Sequence, residues 1–127
     1  MDRAGVQHWL DRYLTAWRTT RRDLIAQLFT DDAVYRYRPY APQRYATVGL
    51  DAILSAWLDA ADPPDSWRAS YEPFAVEGDR AAAIGVVEYA ESSKGPARTY
   101  HSVFVLRFAP DGRCAEFSEY YMREEPT

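Results

Sequence analysis

Glu119 is the residue of this sequence best placed to do chemistry, because of what its spacing puts beside it. In the run FSEYYM it stands two residues after Phe117 and two before Tyr121, so in an extended strand the three side chains share one face. The run TYHSVFVLRF precedes it across a Pro110-Asp111-Gly112 turn, which makes the two segments a hairpin. If that turn joins Phe108 to Arg113, then Phe104 faces Phe117, Ser102 faces Glu119 and Tyr100 faces Tyr121. The wall so formed is aromatic with a single carboxylate at its centre. Such a carboxylate is desolvated, which disfavours its charged form and raises its pKa toward the range useful to a general base or acid. The same group also has a purely structural use, bonded to Ser102 or to a tyrosine hydroxyl.

The opposite face of the hairpin pairs His101 with Tyr120, Val103 with Ser118, Val105 with Glu116 and Arg107 with Cys114. His101, the natural proton shuttle near neutral pH, therefore points away from the carboxylate and is read as a surface or interface residue. A slip of one residue in register would bring it onto the Glu119 face. Glu88 is a candidate second carboxylate, as a rim residue or as a partner for Arg98. Arg36, Arg38 and Arg44 stand among four tyrosines, where they either attract an anionic ligand or lie as solvated stems over the rings. His8, His101 and Cys114 are isolated, and Glu116 and Glu119 alternate to opposite faces, so no metal site is expected. With no glycine-rich phosphate loop or dinucleotide fingerprint, no cofactor is expected either.

Composition agrees with a half-wet cavity. Ten tyrosines against five phenylalanines favour an interior in which polar tips find partners, although sheet surfaces use tyrosine too. A formal charge of -4 argues against nucleic acid, whose binding depends on basic clusters. The lone Cys114 excludes an internal disulfide and suits a reducing compartment. The start MDRAGVQHWL lacks the apolar run of a signal peptide, and no stretch reaches the length of a membrane span. A cytoplasmic, membrane-free protein is the expectation.

Three helices must position these groups. Val6, Trp9, Leu10, Tyr13, Leu14 and Trp17 form one helical stripe. Thr20 followed by Asp23 resembles a capping box that opens a short helix over residues 21–29, which Thr30-Asp31-Asp32 ends. Residues 33–38 alternate as a strand stopped by Pro39, and residues 39–48 read as a loop. Leu50, Ile53, Leu54, Trp57 and Leu58 return to helical spacing until Asp62-Pro63-Pro64. Strands follow over 67–76, 80–90, 98–108 and 113–122, and residues 122–127 read as a frayed tail of one 127-residue domain. Helices first and mostly antiparallel strands after make an α+β fold with the helices on one side of the sheet.

Pairing across Gly78-Asp79 puts Ile84, Val86 and Glu88 on a face with Pro73, Tyr71 and Ala69, and Phe74, Val76, Ala83 and Val87 on the other. Both faces are apolar, so periodicity does not choose between them. Two apolar faces suggest that the outer one is covered, most simply by a second copy of the chain as a homodimer.

The segments YLTAW at 13–17, LFTDDAVY at 28–35, VGLDAI at 48–53 and LRFAPDGR at 106–113 together resemble the nuclear-transport-factor-2-like superfamily, in particular its SnoaL-like branch of polyketide cyclase-like proteins. The resemblance implies a cone-shaped curved sheet covered by three helices, open at one end to a ligand, and it places Ile84, Val86 and Glu88 inside. It aligns Tyr13 with the helix tyrosine by which related ketosteroid isomerases donate to an oxyanion. It sets Tyr37 where those isomerases carry their base aspartate, and Phe104 where they carry a second acid. Both acids of that mechanism are absent, which argues against a steroid isomerase.

A small-molecule pocket is thus expected, with Glu119, Tyr13 and Tyr37 as candidate catalytic groups. Trp17, Tyr35, Trp57, Glu88, Tyr100, Ser102, Phe104, Phe117 and Tyr121 are the expected ligand contacts. The leading reading is a cofactor-free isomerase, cyclase or dehydratase acting on a small apolar or aromatic carbonyl compound. The rivals are a non-catalytic ligand-binding module and a dimerisation module of the same fold.

Overall fold

The computed structural model describes residues 1–125 and shows a six-stranded curved sheet with three helices on one face. Helix α1 (Arg3–Thr19) is opened by Asp2, whose carboxylate accepts from the Gly5 amide at 2.8 Å, and it buries Val6, Trp9, Leu10, Tyr13 and Ala16. Thr20 does not open the next helix as its spacing suggested. It closes α1 in the left-handed conformation at φ 51°, donating its amide to the Ala16 carbonyl. Asp23 pairs with Arg21 instead of capping, and α2 is only Arg22–Ala26.

The strand that follows begins earlier than expected. β1 (Phe29–Arg36) absorbs Thr30, Asp31 and Asp32, with Phe29 and Ala33 buried. The loop after it holds a 3-10 turn (Gln43–Tyr45) and a two-residue edge strand β2 (Thr47–Val48), then α3 (Leu50–Asp59) and a second 3-10 turn (Pro64–Ser66). The remaining strands are β3 (Trp67–Glu77), β4 (Arg80–Tyr89), β5 (Arg98–Phe108) and β6 (Cys114–Arg123). Their order is β2-β1-β6-β5-β4-β3, antiparallel except for the parallel pair β1–β6.

Trp9 centres the core. Its indole nitrogen donates to the Leu28 carbonyl at 3.0 Å, and the Cys114 amide donates to the same oxygen at 2.8 Å. One carbonyl thereby ties α1 and β6 to the start of β1. The rings of Phe29, Phe108 and Phe117 surround the indole.

Two bulges reset the expected registers. Phe108 pairs with Cys114 and Arg107 with Glu116, so Ala115 is the extra residue. Phe104 then lies opposite Glu119, Ser102 opposite Tyr121 and Tyr100 opposite Arg123, two residues off the turn-based pairing. An even shift keeps every side chain on its face, so the aromatic wall survives and His101 stays outside, opposite Met122. In β3 the extra residue is Phe74. Beyond it Tyr71 faces Gly85 and Ala69 faces Val87 on the helix side, with Ala81, Ala83 and Val87 buried.

Ile84, Val86 and Glu88 accordingly lie on the outer face, against what the resemblance implied. The physical reason is room: Tyr71 lies so close over Gly85 that a Cβ there would meet its ring, and only small residues fit beneath it. The expected tail is also shorter. Met122 and Arg123 are in β6, and the Glu124 amide donates to Thr99 at 2.8 Å. Residues 126 and 127 of that expectation lie outside the described residues. Among the described residues no helix is long and apolar enough to cross a membrane.

Candidate functional site

Between the helices and the inner sheet face lies a cavity of about 580 Å³, a volume typical of small-molecule sites. Helix α1 contributes Tyr13 and Trp17, and α3 contributes Ile53 and Trp57. Tyr35 and Tyr37 come from the end of β1 and just beyond it. The sheet supplies Tyr71, Val87, Tyr89, Tyr100, Phe104, Glu119 and Tyr121.

A stack of three rings underlies the cavity. Phe117 is fully buried and lies nearly parallel to Tyr35 (4.3 Å, 10°) and to Tyr13 (5.6 Å, 12°). That stack brings the two phenol oxygens to 3.4 Å from each other, so one hydroxyl donates to its neighbour. Burial holds both phenols well above the ordinary tyrosine pKa, and the Glu119 charge adds to the shift. Both are therefore neutral hydrogen-bond donors across the physiological range.

Glu119 is half-buried, and burial raises its pKa above the ordinary carboxylate value. The Ser102 hydroxyl opposes this by donating to Oε2 at 3.0 Å. No other hydrogen bond reaches this carboxylate among the described residues. The result is a carboxylate tethered at one oxygen, facing rings, with two neutral phenols near enough to feel its charge. That arrangement suits proton transfer beside a developing oxyanion.

The structure brings together nine of the expected residues at the cavity: Glu119, Tyr13, Tyr37, Trp17, Tyr35, Trp57, Tyr100, Phe104 and Tyr121. Tyr37 sits at the rim, 45% exposed. Ser102 and Phe117 stand directly behind the wall rather than on it, buried and holding Glu119 and the phenols. Glu88 is not at the cavity. It is exposed on the outer face and paired with Arg68 at 2.8 Å, not with Arg98. Arg36 bonds Gln43, and Arg38 and Arg44 lie over Tyr37 and Tyr45; none of the three lines the cavity. Among the described residues no three His, Cys, Asp or Glu side chains gather as a metal-binding set.

Sequence reasoning missed Tyr89, Arg98 and Asp62, which do line the cavity, and did not name Tyr71 as a contact. Burial, then the nearby Asp62 charge, pushes the Tyr89 hydroxyl up to about 12, with Arg98 pulling the other way. The available signal was Pro73. A proline inside a strand marks an edge or a bulge, and a bulge flips every residue beyond it.

Comparison with known proteins gives one family match and several structural ones. The model of the SnoaL-like domain family matches residues 10–117. No curated protein matches the chain. An NTF-2 like protein of unknown function from Burkholderia xenovorans LB400 superposes with a TM-score of 0.71 at 13% identity, covering 98% of this chain and 88% of that one. A candidate ketosteroid isomerase from Kribbella flavida gives 0.71 at 14% identity, over 99% and 84% of the two chains. A Mycobacterium tuberculosis protein, solved in complex with estradiol-17beta-hemisuccinate, gives 0.68 at 19% identity over 90% and 91%. These likenesses are of fold.

Proposed function

The chain belongs to the SnoaL-like domain family, and on that premise we propose that its cavity is the active site of an enzyme that moves protons on a small apolar or aromatic carbonyl compound. Isomerisation, cyclisation or dehydration each fit this chemistry, and none requires a cofactor. Glu119 is the base. Tyr13 and Tyr35 act as a pair, one hydroxyl donating to its neighbour and the neighbour donating to the oxyanion that forms as the proton leaves, and Tyr37 contacts the ligand at the rim. The observation that carries the reading is the half-buried Glu119 carboxylate, bonded among the described residues only by Ser102 and facing the phenol pair. The steroid ester bound by one structural neighbour supports a ligand with an apolar ring body.

The test is exchange of the α-protons of 2-tetralone with deuterated water, followed by NMR. The wild-type protein should accelerate exchange, and Glu119→Gln should keep its fold and its affinity for the ketone while losing the acceleration. Unchanged exchange in Glu119→Gln would exclude this residue as the base.

A second reading is a non-catalytic binding module. It is favoured by the fact that Glu119 and the two phenols already have partners within the protein. Tight ketone binding with no exchange in the wild type would select it.

The homodimer and the cytoplasmic setting are parts of the same proposal. Phe74, Val105, Tyr120 and Met122 leave a large apolar area on the outer sheet face, which a second copy would cover. A solution mass of one chain would remove the dimer. The one cysteine is buried, and burial raises its thiol pKa, so it stays an unreactive thiol suited to a reducing compartment.

A further inference from the structure

Arg98 is the one cation on the cavity wall among the described residues, and nothing in the proposed proton transfer uses it. It is the first residue of β5 and pairs across the ladder with Tyr89, the last residue of β4, so both side chains lie on the inner face where the sheet ends. Its guanidinium lies over the Tyr89 ring at 4.5 Å, and one nitrogen donates to the Pro96 carbonyl at 3.1 Å. It has no carboxylate partner among the described residues. Glu88, the expected one, is held by Arg68 outside. Asp62, which shares the wall, is taken by Lys94 at 3.0 Å.

We infer that Arg98 selects a ligand with a carboxylate at the end opposite its reacting carbon. A guanidinium fixed over one aromatic ring, with only one carbonyl acceptor, keeps most of its donors for a planar, singly charged group. A single guanidinium matches a carboxylate better than a phosphate dianion. The distance is set by the strand. Ser102, which holds the base, lies four residues along β5 from Arg98, about 13 Å at the strand rise. The wall between them carries Tyr100, with Tyr121 opposite Ser102, and Phe104 continues it one inward-facing position further on. A ligand that reaches both ends therefore has an apolar body of two or more rings between the carbonyl region and the acid. This specificity rests on the reading of the cavity as a site for apolar carbonyl compounds.

The experiment compares two fluorescent probes, 4-(pyren-1-yl)butanoate and 4-(pyren-1-yl)butanol, titrated into the wild type, Arg98→Gln and Arg98→Lys. The wild type should bind the acid about tenfold more tightly than the alcohol, the size of one charge-assisted hydrogen-bonded contact. In Arg98→Gln that ratio should fall to near one, and Arg98→Lys should restore part of it. An acid and an alcohol that bind the wild type equally would overturn the role of Arg98 while leaving the cavity reading intact. So would a ratio unchanged in Arg98→Gln. Tighter binding of pyrenylbutyl phosphate than of the acid would overturn the carboxylate. Failure of both acid and alcohol to bind would overturn the cavity reading and this inference together.

Discussion

Ser102 donates to Glu119 Oε2 at 3.0 Å although neither residue is the other's ladder partner. Ser102 stands opposite Tyr121 and Glu119 opposite Phe104, so the bond runs diagonally across the hairpin. The turn that pairs Phe108 with Cys114 and the bulge at Ala115 contribute one residue each to this offset, and the length of the glutamate side chain closes it. The carboxylate is held from behind the wall, and its pKa is the outcome of two opposed effects: burial raises it and the serine lowers it.

Ser102→Ala should therefore raise the Glu119 pKa further. The alkaline-going limb of the exchange rate, which reports ionisation of the base, should move to higher pH, and a 13C titration of the Glu119 carboxyl should move with it. Loss of one buried hydrogen bond should cost about 1 kcal/mol of stability. A titration that stays put or moves down would show that the serine does not hold the charged form.

Glu119→Gln should change how stability depends on pH. A carboxyl whose folded pKa is raised binds more protons folded than unfolded in the window between its ordinary value and the raised one. The wild type consequently loses stability as pH rises through that window, and Glu119→Gln does not. Urea midpoints measured from about pH 4 to about pH 8 should show the variant gaining on the wild type as pH rises. A constant difference would contradict the raised pKa.

Gly85→Ala should damage the cavity from below. Its Cβ would stand 2.5 Å from the Ser70 carbonyl oxygen and would collide with the Tyr71 ring, which stacks on Phe104 at 4.2 Å. Tyr71 must tilt away or β3 must shift, at about 1–3 kcal/mol, the range for overpacked cores. Thermal unfolding measures the loss, and weaker pyrenylbutanol binding reports the displaced wall. A variant with unchanged stability and affinity would mean that Tyr71 moves freely.

The aromatic wall was legible because it depends only on parity. Phe104, Glu119 and Tyr121 keep their face under any even shift, so an incorrect pairing still put the right side chains together. The face of β4 was not legible, since Ile84 and Val87 are equally apolar and the choice turned on one bulge at Phe74. Helix α1 was clear from its stripe, whereas Thr20 and Asp23 have the spacing of a cap at a place where the chain needs a left-handed stop. Arg98 could not be found from its neighbours in sequence. Its freedom depends on Glu88 facing outward and on Lys94 holding Asp62 from thirty-two residues away.

The last expectation concerns which phenol serves the ligand. Tyr13 and Tyr35 share one hydrogen bond at 3.4 Å, and only the hydroxyl that accepts from its neighbour keeps its own proton for the cavity. Removing the terminal donor should slow 2-tetralone exchange about 100-fold, as loss of an oxyanion donor does. Removing the other should slow it less, because it only strengthens its neighbour as a donor. Tyr13→Phe, Tyr35→Phe and the double variant form a cycle whose rate effects should be less than additive, since either single change already breaks the shared bond. Strict additivity would mean that the two hydroxyls act independently. A double variant as fast as the wild type would leave the phenols no part in the chemistry and assign them to packing on Phe117 alone.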